Sequence, residues 1–265
     1  MSWTNVLGRV SFSNCDPIFT SLEKKWKILP APPSWLTGHL LRQDCLCAPI
    51  PAADYAKHSD ELALIPNLAI VSKGEVGSVL LFGSRPIEEM RDIALPSDSS
   101  TSVTLLKWLL KQKNLDPKFV HTGPDIDIML SKCDGALLIG DRALVSSQKS
   151  PELVRLDLGS EWTNITNLPM VFGVFAARKD SPIDKLKDAH KDMVNQYNNF
   201  LENDVFRNKV IAKSFEKLVF SEDRISSYFD DEVSNFLDDE GVKGLELFLS
   251  EVCELKEGPT WLNLD

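Results

Sequence analysis

A chain of 265 residues, 43% hydrophobic and 26% charged, has the balance of a folded globular protein long enough for two lobes, which argues against disorder. Its formal net charge is −10, and its Lys and Arg residues are scattered rather than clustered. A nucleic-acid partner is therefore not expected, because phosphates require a concentrated basic face.

The pattern predicts a strand near 7–12, a helix near 17–25, and an amphipathic helix near 34–43 entered after the cluster Pro30, Pro32 and Pro33. An extended segment follows near 45–50. Leu62 to Ile70 and Val76 to Phe82 read as β, the latter a nearly continuous apolar run typical of a buried strand, ended by Ser84-Arg85-Pro86. Next come a strand at 92–95, a helix at 100–113, a strand at 117–121, a helix at 125–131, a strand at 134–140 and a short helix from Asp141. This alternation implies a parallel sheet. Val171 to Ala177 is apolar again, and 180–265 reads as mostly helical, with Leu245, Phe248, Leu249 and Val252 at helical spacing. The acidic cluster Asp230-Asp231-Glu232 and Asp238-Asp239-Glu240 reads as a solvated surface.

Nothing from Met1 to Asn5 resembles a secretory signal, and no apolar run is long enough to span a bilayer, so no membrane association is expected. Five cysteines, Cys15, Cys45, Cys47, Cys133 and Cys253, are odd in number and dispersed, which fits thiols in a reducing cytoplasm better than a disulfide framework. Cys45 and Cys47 lack a second closely spaced pair, and His39, His58, His121 and His190 lie far apart, so no metal site is expected. The glycine-rich turns of nucleotide sites and the serine elbow of hydrolases are absent as well.

Chemistry is concentrated in the turns that follow strands. Ser99-Ser100-Thr101-Ser102 precedes an apolar helical face formed by Val103, Leu105, Leu106, Leu109 and Leu110, and a helix start of this kind either caps itself or binds an anion. Asn14, in Ser11-Phe12-Ser13-Asn14, either closes an Asx-turn or donates to a ligand. Ser78 is either a small residue chosen for packing or a ligand contact. Asp141 either caps the helix it opens or accepts from a ligand hydroxyl. Arg9, Arg42, Lys73, Arg142 and Arg178 are the cations nearest these turns in sequence.

In order and spacing, the segments GRVSFSN at 8–14, Gly74 to Leu110, Leu138 to Leu144 and Asp157 to Ala176 resemble the chorismate dehydratase family of the futalosine route to menaquinone. The resemblance spans nearly the whole chain. It implies an α/β, two-lobed, type II periplasmic-binding-protein-like fold with a ligand cleft between lobes. Residues 1–84 and 175–265 would form one discontinuous lobe and 85–174 the other, with hinge closure expected. By the same resemblance Asn14 and Ser78 are catalytic, while Ser11, Ser99, Thr101, Ser102 and Asp141 bind substrate. The implied reaction removes water from chorismate, a small dicarboxylate, to give 3-[(1-carboxyvinyl)oxy]benzoate. No cofactor is required; the ring proton leaves first, and the substrate's enolpyruvyl carboxylate serves as base. The alternatives are the sister enzyme that makes 1,4-dihydroxy-6-naphthoate and a non-catalytic protein binding a small carboxylate.

Two segments depart from the family pattern. Ile50-Pro51-Ala52-Ala53-Asp54-Tyr55-Ala56 lacks the usual Ser-Ser pair, which is expected to remove donors from a ligand-facing loop. Ile165-Thr166-Asn167-Leu168-Pro169 stands where Trp-Thr-Gly-Leu-Pro is usual, which is expected to remove an aromatic wall.

Overall fold

The computed structural model describes residues 2–218 and 220–264, and among these the chain forms two sheets. In chain order the strands are β1 (Val6–Val10), β2 (Lys27–Ala31), β3 (Cys47–Pro51), β4 (Leu62–Ser72), β5 (Val79–Gly83), β6 (Asp92–Pro96), β7 (Lys118–Thr122), β8 (Gly135–Ile139), β9 (Val154–Asp157), β10 (Met170–Arg178) and β11 (Ser234–Phe236). The α-helices are α1 (Asp16–Phe19), α2 (Pro33–Leu41), α3 (Ala52–Lys57), α4 (Thr101–Gln112), α5 (Ile126–Lys132), α6 (Asp141–Lys149), α7 (Leu158–Thr166), α8 (Ile183–Glu202), α9 (Asp204–Leu218), α10 (Glu222–Ser227) and α11 (Asp239–Leu247).

The first sheet has the order β11-β4-β10-β3-β1-β2 and the second β7-β6-β8-β5-β9. β1 pairs parallel with β2 and β3, and β6 pairs parallel with β7 and β8. Parallel neighbours need a crossover, and the intervening helices supply it. The strand by which the chain enters each lobe is antiparallel to its neighbours: β5 lies between β8 and β9, and β10 between β3 and β4. Apart from β11, each lobe therefore has one topology: its second, first and third strands, then the entering strand, then its fourth. No amino-acid repeat announces this correspondence.

This pairing moves the lobe boundaries away from residues 84 and 175. Leu80 faces Leu138, and Leu81 faces Leu137 and Leu156, so Val79–Gly83 belongs to the second sheet and the first crossing is the segment 73–78. All of β10 lies in the first sheet, with Val174 opposite Ile50 and Ala69. An apolar run signals a buried strand but does not name its partner, which is why the sequence alone put Val76 to Phe82 in the wrong lobe. The helix expected at 17–25 ends at Phe19, a short 3₁₀ turn follows, and the chain then forms β2. Pro30 is tolerated there because β2 is an edge strand.

The core joins both lobes. Trp162 is fully buried, donates its indole N–H to the Pro169 carbonyl at 3.1 Å and meets Phe248 edge-on at 6.0 Å. α1, α8 and α9 pack together, with Leu186, Ala189, Met193, Tyr197 and Phe200 forming the buried stripe of α8. Cys45 and Cys47 are buried free thiols, and burial pushes Cys45 up to about 12. Among the described residues no helix is long and apolar enough to cross a membrane, and no group of three or more His, Cys, Asp or Glu is arranged to hold a metal ion.

Asp157 ties the first crossing to the second lobe. Its carboxylate accepts from the N–H groups of Val76 and Gly77, at 3.1 and 2.8 Å, and caps α7 through Ser160 N–H at 3.0 Å. Asp157→Ala strands two crossing amides and a helix cap, so unfolding free energy should fall by about 3 kcal/mol. Urea unfolding measures it; a loss below about 1 kcal/mol would mean that water replaces the carboxylate at the crossing.

Candidate active site

The parallel strands of both lobes end at a common cleft. β1 leads through Phe12 into the turn Ser13-Asn14-Cys15, and β3 ends at Pro51 at the start of α3; in the other lobe, β6 leads to Ser99 and α4, and β8 leads to Gly140 and α6. The empty space between these strand ends, part of it open to solvent, is about 520 Å³. Ligands of open α/β sheets bind beyond such strand ends, where loops diverge. The walls are apolar, from Val10, Ile50, Ile70, Val79, Ile139 and Phe172 among others. The polar groups that line it are Asn14, Ser78, Ser99, Thr101 and Ser102.

A buried charge network fixes the Asn14 turn from below. Asp16, fully buried, pairs with Arg9 from β1 and accepts from Ser214 Oγ at 2.8 Å and from Lys217 Nζ at 2.9 and 3.0 Å. The turn is thus tied to both β1 and α9. The carbonyl oxygen of the Asn14 side chain is buried and finds no hydrogen-bond partner among the described residues. The intraturn bond of an Asx-turn is therefore not what holds it.

Thr101 and Ser102 open α4, and among the described residues no side chain caps that helix. Plain capping is thus not the role that these hydroxyls play. Thr101 Oγ1 instead accepts from the Ala53 N–H across the cleft at 3.1 Å, which leaves its own proton to donate elsewhere. The same bond serves the first turn of α3.

Ser11 and Asp141 are not cleft residues. Side chains alternate along an extended segment, so Val10 and Phe12 point into the cleft while Ser11 is exposed on the other side, its N–H donating to the Ala31 carbonyl at 3.1 Å. Asp141 turns to the other lobe and accepts from Ser13 N–H and Oγ at 2.9 and 3.1 Å. Burial raises its carboxyl above the ordinary carboxylate range, opposed by those two bonds. Gly140 lines the cleft in its place, at φ +61, with the Phe12 ring packed where a Cβ would come within 2.5 Å.

Further contacts close the seam. Ser34 donates its N–H to the Asp98 carbonyl at 3.4 Å, and the Arg142 guanidinium lies 5.3 Å from the centre of the Phe12 ring. The cations near the turns are committed elsewhere: Arg9 to Asp16, Arg142 to Asp98, Arg42 to Asp44, Lys73 to Glu240 and Arg178 to Asp180. Among the described residues that line the cleft, none has an ionisable side chain.

The segment Ile165 to Pro169 does not line the cleft. Ile165 is exposed, and Asn167 ends α7 in the left-handed conformation at φ 57. Asparagine tolerates that conformation and so takes over the capping role of the usual glycine, leaving the cleft walls untouched. Tyr228 and Asp157 are not among the residues that the sequence singles out: Asp157 ends β9 and caps α7, but no strand is read at 154–157, and Tyr228 adjoins no strand. The Asp at the start of α7 carried a capping signal, but nothing local ties Tyr228 to the site.

A family profile described as menaquinone biosynthesis matches residues 6–254. The chorismate dehydratase of Thermus thermophilus is 32% identical over 209 residues, which cover 71% of this chain and 76% of that one. Among solved structures, a protein of Archaeoglobus fulgidus superimposes with a TM-score of 0.73 at 16% identity, covering 95% of this chain and 97% of its own. The alkanesulfonate-binding protein of Xanthomonas axonopodis pv. citri, solved with MOPS, gives 0.67 at 14% identity over 96% and 94%. A Candida albicans protein described as having the generic periplasmic binding protein fold gives 0.65 at 15% identity over 98% and 97%. With this two-lobed periplasmic-binding-protein-like fold and a match over almost its whole length, the chain belongs to the menaquinone biosynthesis family.

Proposed function

We propose that this chain is a chorismate dehydratase of menaquinone biosynthesis, converting chorismate to 3-[(1-carboxyvinyl)oxy]benzoate and water. The observation that carries the reading is the makeup of the cleft, an apolar slot whose polar side chains are hydroxyls and one amide. Chorismate is a small ring with two carboxylates and a hydroxyl. Its ring suits apolar walls, and its carboxylates need donors, which the start of α4, Ser78 and Asn14 provide without a counter-charge.

Dehydration removes a ring hydrogen as a proton and the neighbouring hydroxyl as water. The carbon–hydrogen bond breaks first and leaves its electron pair on the ring; the carbon–oxygen bond breaks second, as that pair completes the aromatic system. Oxidation states balance, so the step needs no redox partner and the reaction is read as cofactor-independent. No described side chain lining the cleft takes up a proton near neutral pH. The base in this reading is the substrate's own enolpyruvyl carboxylate, which hands the proton to the departing hydroxyl. Asn14 donates to a substrate carboxylate through its amide N–H and accepts from the ring hydroxyl through its otherwise unpartnered oxygen. Buried free thiols suit a reducing compartment, and the reading places the enzyme in the cytoplasm.

Incubation with chorismate, followed by mass spectrometry, should yield the enolpyruvyl benzoate. Binding without turnover would leave a carboxylate-binding protein, and neither binding nor turnover would favour the sister enzyme. Asn14→Ala should lower kcat on the order of 10²-fold with KM changed far less, because donors aimed at developing charge act in the transition state. Asn14→Asp should be worse, since it sets a negative charge beside a carboxylate. Steady-state kinetics decide, and equal losses in kcat and affinity would make Asn14 a binding residue only.

Turnover should be constant from about pH 7 to pH 9, where no lining group titrates. It should fall on the acid side as Asp141, with its raised carboxyl, takes up a proton and weakens its hold on Ser13. An inflection between pH 7 and 8 in the pH–rate profile would instead reveal a protein base.

A further inference from the structure

Residues 222–232 reach the cleft from behind. After α10 the chain makes a π-helical turn, Tyr228–Glu232, an irregularity that occurs often at functional sites. It turns two side chains onto the first crossing. Glu232, paired with Arg224 at 2.9 Å, packs against Gly77, whose φ of +60 and lack of Cβ let the carboxylate approach. Tyr228, 2% exposed, donates its phenolic O–H to Ser78 Oγ at 3.1 Å.

Ser78 is held on every side. Its N–H donates to the Val76 carbonyl at 2.6 Å, and its carbonyl accepts from Gly140 N–H at 2.7 Å. Ser78 lines the cleft, and its hydroxyl oxygen already receives a proton from Tyr228. A hydroxyl has one proton to give, and with the Tyr228 O–H behind it that proton is turned away from the tyrosine toward the cleft. Burial raises the Tyr228 phenol far above its ordinary range, so it stays a donor at every working pH.

We infer that Tyr228 is a positioning residue for the reaction: it makes the Ser78 hydroxyl a fixed donor into the cleft and polarises it through a two-member hydrogen-bond chain. The inference rests on the dehydratase reading, in which Ser78 donates to the substrate. Nothing in the residues around Tyr228 marks it, because the partner lies 150 residues earlier in the chain.

The test is a double-mutant cycle of wild type, Tyr228→Phe, Ser78→Ala and the double variant, with kcat and KM for chorismate and thermal midpoints for each. Tyr228→Phe keeps the buried ring and removes only the O–H. It should lower kcat up to about tenfold at nearly constant KM, and Ser78→Ala should lower it on the order of 10²-fold. The double variant should match Ser78→Ala within about a factor of two, since the tyrosine acts only through the serine. An unchanged kcat in Tyr228→Phe, or an equal further loss on the Ser78→Ala background, would overturn the inference. A wild type without turnover would overturn the dehydratase reading alone. The same cycle would then be read in affinity for 3-[(1-carboxyvinyl)oxy]benzoate by calorimetry, where a non-additive loss supports the coupling and additivity or no binding overturns it.

Discussion

The site depends on two half-buried, desolvated carboxylates that hold backbone rather than cations. Asp157 accepts from Val76 and Gly77 and fixes the crossing that carries Ser78; Asp141 accepts from Ser13 and fixes the turn that carries Asn14. Each is desolvated, which raises both carboxyls, and each is held ionised by the N–H groups it receives. A carboxylate satisfied by backbone amides is worth most where the backbone would otherwise be free to move, and these two sit where the lobes meet. The crossing and the seam are thus set by groups that never touch the cleft.

The second constraint is electrostatic. The chain is acidic overall, at −10, and its cations near the strand ends are committed to acids of its own. What faces the cleft is neutral: hydroxyls, one amide and the uncapped start of α4. Such dipoles are held in place by folding, so they stabilise negative charge without reorganising when it moves during reaction. They also leave a carboxylate on the substrate free to act as a base, which a paired guanidinium would oppose by lowering its basicity. The neutral cleft and a substrate-assisted elimination therefore support each other.

Much of the cleft lining was legible because strand-turn-helix patterns are local, while the ligand roles proposed for it came from the family resemblance. The apolar run ending at Val10 and the small polar residues after it located Asn14, and the serines before an amphipathic helix located Ser99, Thr101 and Ser102. What failed needed geometry. Ser11 belongs to the same motif as Asn14, but alternation along an extended segment sends it to the opposite side. Asp141 sits on a strand end like the others, yet the turn at Gly140 aims it at Ser13. β2 and β11 were missed because short edge strands with little alternation, one containing a proline, have no clear β signature. The strand Val79–Gly83 was found, but its sheet was not, because strand partners are set by tertiary packing. The aromatic wall expected to be lost at Ile165 is no part of the cleft, since Ile165 is exposed and Asn167 ends α7 as its cap.

The most direct measurement is a crystal structure with 3-[(1-carboxyvinyl)oxy]benzoate bound. The ring should lie between Ile50, Val79 and Phe172, with carboxylate oxygens within about 3.2 Å of donors from Asn14, Ser78 and the start of α4, and with Arg142 still paired to Asp98. A carboxylate instead gripped by Arg142 or Arg9 drawn into the cleft would contradict this arrangement, because recognition would then rest on a cation and not on neutral, preorganised donors.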